Sequence, residues 1–170
     1  MDKKLDIPYH EYDDVLQLAE EDRELLHRAG EMVGKAYAPY SGFRVGAALR
    51  LEDGTIVTGS NQENAAYPSG LCAERVAVFA AAANYPDKAI ESLAITADAR
   101  QKVDHPVAPC GACRQAILEY EHKFKHPVRL ILRGATGKIV ILDSVRSLLP
   151  FQFTKDDMGL CPPRDMMDET

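Results

Sequence analysis

Three cysteines at a defined spacing restrict the fold of this chain more than any other feature. Cys110 and Cys113 form a C-x-x-C pair in the segment Pro109-Cys110-Gly111-Ala112-Cys113, and Cys72 stands well before them, followed by Ala73 and Glu74. Three thiolates can hold one zinc ion tetrahedrally and leave its fourth position open. A fold that uses all three must bring two distant segments together, with the Glu74 carboxylate beside the open position.

Other uses of the cysteines stay open at this point. The chain has four cysteines and starts Met1-Asp2-Lys3-Lys4 without an apolar leader, so we expect a reducing, cytoplasmic location. There, Cys110 and Cys113 could form a redox dithiol instead of a metal site. Cys161 could close the site as a fourth ligand, which would make the zinc structural. Its position in Gly159-Leu160-Cys161-Pro162-Pro163 indicates a thiol in a tail instead.

Composition excludes several classes of function. A chain of 170 residues can bury one sizeable core. Its net charge of −6 argues against a nucleic-acid partner, because polynucleotide binding requires clustered Lys and Arg. No apolar run approaches the length of about 20 residues that spans a bilayer, so we expect no membrane partner. We predict an N-terminal extension at 1–21, one domain at 22–154 and a C-terminal tail at 155–170.

Hydrophobic periodicity predicts alternating helices and strands. The predicted helices are 22–37, 72–83, 111–122 and a short one at 144–149, and the predicted strands are 43–51, a return strand from 56, 92–96, 128–132 and 139–142. Asp53-Gly54 marks a hairpin turn. The 134–137 link is too short for a crossover helix, so the last two strands should be antiparallel. The predicted fold is α/β, with a mixed five-stranded sheet between two helical layers.

These elements place the cysteines at the starts of two helices. Cys72 precedes one helix, and Cys110 and Cys113 lie at the start of the next. The positive ends of helix dipoles stabilise thiolates, which offsets the negative charge of three sulfurs on one divalent ion. Arg75 and Arg114 are candidate donors to the thiolates. Alternatively, both are surface residues in ordinary ion pairs.

Several segments, in order, resemble the small homotetrameric cytidine deaminases of nucleoside salvage. The matching segments within residues 22–154 are Ala38 to Leu49, Asn61-Gln62-Glu63-Asn64-Ala65-Ala66-Tyr67, Cys72-Ala73-Glu74-Arg75, Pro109 to Gln115, and Leu148-Leu149-Pro150 with Phe153. Arg44 departs from the family pattern, which has a smaller or neutral residue there. The resemblance implies a three-layer α/β/α fold, a homotetramer, and the hydrolytic deamination of cytidine and deoxycytidine.

The resemblance also implies roles for individual residues. Cys72, Cys110 and Cys113 would bind one Zn²⁺ per subunit, and Glu74 would move protons between a zinc-activated water and the cytosine ring. The implied nucleoside contacts are Phe43, Asn61, Glu63, Tyr67, the main-chain N–H of Ala73, and Phe153 from a neighbouring subunit. From residue type alone, Asn61 and Glu63 could instead bind the local backbone. The aromatic residues could equally be core residues.

Three rival functions remain open from the sequence. The first is a deaminase for another aminated substrate, such as an antibiotic, a deoxycytidylate or an adenine in RNA. The nucleic-acid branch of this superfamily has His where Cys72 stands and a helical link before its last strand, so Cys72 and the Gly134–Gly137 turn argue against it. The others are a structural zinc protein and a thiol redox protein. The pair of Asn61 and Glu63 favours a nucleoside substrate.

Overall fold

A single mixed β-sheet organises the chain. The computed structural model describes residues 1–159. The strands are β1 (His10–Tyr12), β2 (Arg44–Leu51), β3 (Ile56–Ser60), β4 (Ile90–Asp98), β5 (Arg129–Leu132) and β6 (Ile139–Leu142). Their order across the sheet is β1-β6-β5-β4-β2-β3. Among the six strands of residues 1–159, only β4 and β5 pair in parallel, and β5 and β6 are antiparallel as the short link predicts.

Helices cover both faces of this sheet. The helices are α1 (Glu20–Val33), α2 (Ala73–Asn84) and α3 (Gly111–Phe124). Alternate residues of a strand point to opposite faces, which divides the core into two clusters. Leu49 and Ile95 pack with α2 and α3, whereas Ala48 and Ala94 pack with α1. The predicted three-layer α/β/α architecture is therefore confirmed.

The prediction of five strands is wrong by one. β1 lies within the predicted N-terminal extension and pairs antiparallel with β6, with His10 opposite Ile141 and Tyr12 opposite Ile139. A three-residue strand is too short to show a period of two, so its sequence gives no signal. β1 covers the edge of the apolar strand β6, which would otherwise present unpaired backbone groups to solvent.

The first helix ends earlier than predicted. Periodicity indicates a helix to residue 37, but α1 ends at Val33 and Gly34 caps it. The Tyr37 N–H donates to the Asn61 carbonyl at 3.0 Å, and the Tyr37 carbonyl accepts from the Glu63 N–H at 2.8 Å. Residue 37 is thus bonded to the chain that follows β3, and this non-local pairing overrides the helical preference of residues 34–37. The predicted helix at 144–149 is a shorter 3₁₀ turn, Val145–Leu148.

Small residues allow the helices to approach the sheet closely. A Cβ built on Gly46 of β2 would lie 2.0 Å from the Ala29 carbonyl oxygen of α1. On the other face, a Cβ built on Gly59 of β3 would lie 2.5 Å from the Ala73 carbonyl oxygen. The absence of a side chain at Gly59 allows the start of α2, including Ala73 directly after Cys72, to pack close to the sheet.

Candidate active site and metal centre

The three cysteines predicted to work together converge at one point. The Sγ atoms of Cys72, Cys110 and Cys113 all lie within 4.8 Å of one another. Cys110 Sγ is 3.9 Å from Cys72 Sγ and 3.5 Å from Cys113 Sγ. Tetrahedral zinc with bonds of about 2.3 Å places its sulfur ligands about 3.8 Å apart. The spacing of the three sulfurs therefore fits one zinc ion.

Two helix N-termini hold this cluster in place. Cys72 is the N-cap residue of α2 and Cys110 is the N-cap residue of α3, while Cys113 lies buried in the first turn of α3. α2 and α3 contact each other on the same face of the sheet. The positive ends of both helices are thus directed at the sulfurs, which favours thiolates there.

The cysteines differ in their affinity for a proton. The pKa of Cys72 is lowered to about 5, chiefly by a hydrogen bond from the Cys113 thiol and further by the Arg75 guanidinium. The same hydrogen bond, together with burial, raises the pKa of Cys113. Arg75 lies next to Cys72, where the sequence analysis expects a donor to the thiolate. The Nε atom of Arg75 is buried without a hydrogen-bond partner among residues 1–159.

Glu74 lies in the first turn of α2, close to the sulfurs. Only 5% of its surface is exposed. Burial raises the pKa of the Glu74 carboxyl, and the neighbouring negative charge of Cys72 raises it further. A carboxyl group in such surroundings can hold a proton closer to neutral pH than a solvated one does. This property is what a group that accepts and returns protons needs.

A cleft of about 510 Å³ leads to Cys72. Its walls are formed by the segments before β2 and after β3; the lining residues are Tyr40, Ser41, Asn61, Gln62, Glu63, Asn64, Tyr67, Gly70, Leu71 and Cys72. The rings of Tyr40 and Tyr67 meet edge to face with centroids 5.9 Å apart. Three predicted nucleoside contacts, Asn61, Glu63 and Tyr67, therefore share one cleft with a predicted zinc ligand. Its volume lies in the range typical of small-molecule sites.

Asn61 and Glu63 also hold the cleft wall together. The Asn61 amide accepts from the Val45 N–H at 2.8 Å and donates to the Phe43 carbonyl at 2.9 Å. The Glu63 carboxylate accepts from the Tyr40 N–H at 2.8 Å and from both the N–H and the hydroxyl of Ser41. The hydrogen bond from Ser41 lowers the pKa of Glu63, which is therefore an anion at neutral pH. These are the local backbone bonds that the sequence left open as an alternative to ribose binding.

The other predicted contacts lie outside this lining. Phe43 is 37% exposed, and its N–H donates to the Ser41 hydroxyl. Ala73 is fully buried at the start of α2, and Phe153 is 58% exposed on the segment after β6. Sequence reasoning missed Ser41, which orients Glu63; a hydroxyl in a loop gives no sequence signal for a partner 22 residues away.

The metal site has no fourth protein ligand within the described residues. Within residues 1–159, Cys72, Cys110 and Cys113 are the one group of three or more potential ligands whose atoms lie close enough together to share an ion. Cys161, the fourth thiol, lies outside the described residues. The described part of the chain also contains no helix long and apolar enough to cross a membrane.

Comparisons with known proteins agree with this geometry. Residues 19–125 match the family model of the cytidine and deoxycytidylate deaminase zinc-binding region. The chain belongs to the cytidine and deoxycytidylate deaminase family. A cytidine deaminase of Sporosarcina psychrophila is 45% identical over 126 residues, which are 74% of this chain and 85% of that protein. The cytidine deaminase of Halalkalibacterium halodurans is 38% identical over 81% of this chain and 98% of its own length.

A solved structure matches as well. The crystal structure of cytidine deaminase from Burkholderia pseudomallei superposes with a TM-score of 0.68 at 38% identity, covering 76% of this chain and 97% of that one. Blasticidin-S deaminase of Bacillus cereus is a more distant relative, at 28% identity. The resemblance to the cytidine deaminases is confirmed, whereas the homotetramer that it implies stays a prediction. The chain is an enzyme of this family, and zinc is its cofactor.

Proposed function

We propose that this enzyme converts cytidine and deoxycytidine to uridine and deoxyuridine, releasing ammonia, as a step of pyrimidine salvage. One observation supports this most directly. The buried carboxyl of Glu74 lies beside a three-cysteine cluster at which a nucleoside-sized cleft ends. A structural zinc site or a redox dithiol has no use for a buried carboxyl group with a raised pKa.

Cys72, Cys110 and Cys113 hold the zinc in this proposal, and their three sulfurs leave its fourth position for a non-protein ligand. When bound, the ion supplies an acidified water as the nucleophile. Arg75 and the two helix N-termini stabilise the thiolates, so the excess negative charge of the ligands is partly offset.

Glu74 carries the protons. Its carboxylate accepts a proton from the attacking water and transfers it to N3 of the ring, while the oxygen adds to C4. The second proton of the former water then moves through Glu74 to the amino group on C4, which leaves as ammonia when the C4–N4 bond breaks. One carboxyl group acts as base and then as acid, and its raised pKa suits both tasks.

Asn61 and Glu63 bind the ribose in this proposal. Each already donates to or accepts from the backbone, which fixes its orientation before the substrate arrives. An amide group has two N–H donors and a carboxylate has several lone pairs, so both retain free bonding capacity for sugar hydroxyls. Tyr67 and Phe43 would pack against the nucleoside, and the Ala73 N–H would donate to O2 of the base.

We also propose a homotetramer in which Phe153 reaches the site of a neighbouring subunit. Phe153 is 58% exposed and Phe151 is 95% exposed, so this segment offers two aromatic rings that the chain itself does not bury. Closed symmetric assemblies are the usual form of soluble oligomers. Light scattering should give about four times the 18.8 kDa mass of one chain. An active monomer at assay concentration contradicts the shared site.

A substrate panel tests the proposed function. Purified zinc-loaded protein is incubated with cytidine, deoxycytidine, cytosine, cytidine monophosphate, adenosine and blasticidin S, and ammonia release is followed. We expect turnover of cytidine and deoxycytidine and very poor turnover of cytosine. Preference for blasticidin S would favour an antibiotic deaminase, and zinc-bound protein inactive on every compound would favour a structural role. We place the enzyme in the cytoplasm, where its cysteines stay reduced; fractionation of the source cells tests this.

A further inference from the structure

Two side chains that follow Cys113 bind the backbone of a distant segment. Arg114 Nε donates to the Pro109 carbonyl at 2.8 Å, and Arg114 Nη1 donates to the Leu148 carbonyl at 3.1 Å. Gln115 Nε2 donates to the Phe153 carbonyl at 2.9 Å. Both side chains come from the first two turns of α3, and both are partly buried. The element that carries two of the cysteines therefore also bonds to the chain after β6.

The segment after β6 has few other attachments. Val145, Leu148 and Leu149 pack into the core against α3, but the next residues leave the core. Within residues 1–159, the Gln115 bond is the one hydrogen bond made by residues 150–153. The phenyl rings of Phe151 and Phe153 are largely exposed. The direction of this aromatic segment is thus set at two carbonyls, those of Leu148 and Phe153.

We propose that Arg114 and Gln115 are positioning residues that fix the aromatic segment 151–153 relative to the cysteine site. Arg114 joins Pro109, the residue before Cys110, to Leu148, which lies three residues before the segment, and Gln115 binds the carbonyl of Phe153 at the end of the segment. This inference rests on the proposed function, in which Phe153 contacts the substrate of a neighbouring subunit. A ring held in place before binding loses less entropy when it packs on a ligand, so the bonds improve substrate binding without contacting the substrate.

The first test measures the segment itself and needs no activity. In Gln115→Met, a side chain of similar length lacks the donor. Hydrogen exchange followed by mass spectrometry should show faster exchange at the Thr154 and Asp157 N–H groups of zinc-loaded Gln115→Met than in the wild type, because these amides are hydrogen-bonded directly after Phe153. Zinc content should stay at one ion per chain. Glu119→Ala, an exposed change on the same helix, is the matched control and should leave exchange unchanged. Equal exchange in Gln115→Met and the wild type overturns the proposal.

The second test is kinetic. Loss of one neutral hydrogen bond predicts a rise in KM for cytidine of about three- to tenfold in Gln115→Met, with a smaller change in kcat. Because Gln115 acts through Phe153, the double variant Gln115→Met/Phe153→Ala should have the KM of Phe153→Ala alone. Additive effects, or loss of zinc from Gln115→Met, would show a general structural role and overturn the proposal. If the wild type fails to deaminate cytidine, the proposed function fails, and the exchange experiment still decides whether Gln115 holds the segment.

Discussion

Replacement of Gly59 by alanine should damage both the stability and the activity of this enzyme. Gly59 lies in β3 directly beneath the first turn of α2, where an added Cβ would be 2.5 Å from the Ala73 carbonyl oxygen and 2.6 Å from the Ala77 nitrogen. Both are backbone atoms of one helix, so no side chain can rotate away. Restoring ordinary contact at 3.4 Å requires the start of α2 to move by about 0.9 Å.

The expected magnitudes follow from this displacement. Overpacking against a backbone should lower the free energy of unfolding by about 2–3 kcal/mol. Alanine also reduces the conformational entropy of the unfolded chain, which offsets about 0.5 kcal/mol of this loss. A net loss near 2 kcal/mol lowers the Tm of a chain this long by about 4–8 °C. The same movement shifts Cys72 and Glu74, which precede and follow Ala73. A misplacement of about 1 Å at a reacting group can reduce kcat/KM by up to about 100-fold.

Gly30→Ala is the matched control. Gly30 is exposed within α1, on the other face of the sheet, and an added Cβ there meets no atom within 4 Å. Alanine inside a helix should stabilise the protein by about 0.5–1 kcal/mol and leave turnover unchanged. Thermal unfolding at equal protein and zinc concentration, with initial rates on cytidine, measures both variants. A Gly59→Ala protein with the Tm and kcat/KM of Gly30→Ala would refute the packing argument.

Four further predictions concern the site and the core. Glu74→Gln should keep its zinc and its fold but lose at least about 10²–10⁴ in turnover, measured as ammonia release; near-normal turnover contradicts the proton-transfer role. Asn61→Ala should raise the KM for cytidine, and an unchanged KM removes Asn61 from substrate binding. Asp22→Ala removes the buried partner of Arg129 and should lower the free energy of unfolding, measured by urea denaturation, by about 2 kcal/mol. An unchanged urea midpoint would show that solvent screens this ion pair. Cys161→Ser should retain one zinc per chain by metal analysis, and loss of zinc would identify a closed four-cysteine site.

Local patterns in the sequence account for most elements of the fold. The Asp53-Gly54 hairpin, the two helices that follow Cys72 and Cys110, and the antiparallel β5–β6 pair are all found as predicted. Each depends on residues close together in the chain: a turn with a glycine at positive φ, an apolar stripe, or a link too short for a crossover. Cys72, Cys110 and Cys113 could be predicted to meet for a related reason. A zinc ion demands a fixed set of ligands, and their residue types are visible in the sequence.

Pairings between distant segments were decided only by the tertiary structure. The three residues of β1 join the sheet because β6 offers an open edge, and α1 stops at Val33 because Tyr37 bonds to the chain after β3. Asp22 forms an ion pair with Arg129, which lies 107 residues away in the chain, and no local sequence pattern predicts this pairing.

The same distinction applies within the candidate site. The sequence alone determined which residues could bind zinc and move protons, since those abilities belong to the side chains themselves. Only the tertiary structure decided that Glu74 is buried, that Ser41 holds the Glu63 carboxylate, and that Gln115 bonds to the Phe153 carbonyl. Burial and hydrogen bonding depend on which groups the folded chain brings within about 3 Å of each other, and sequence spacing does not encode that distance.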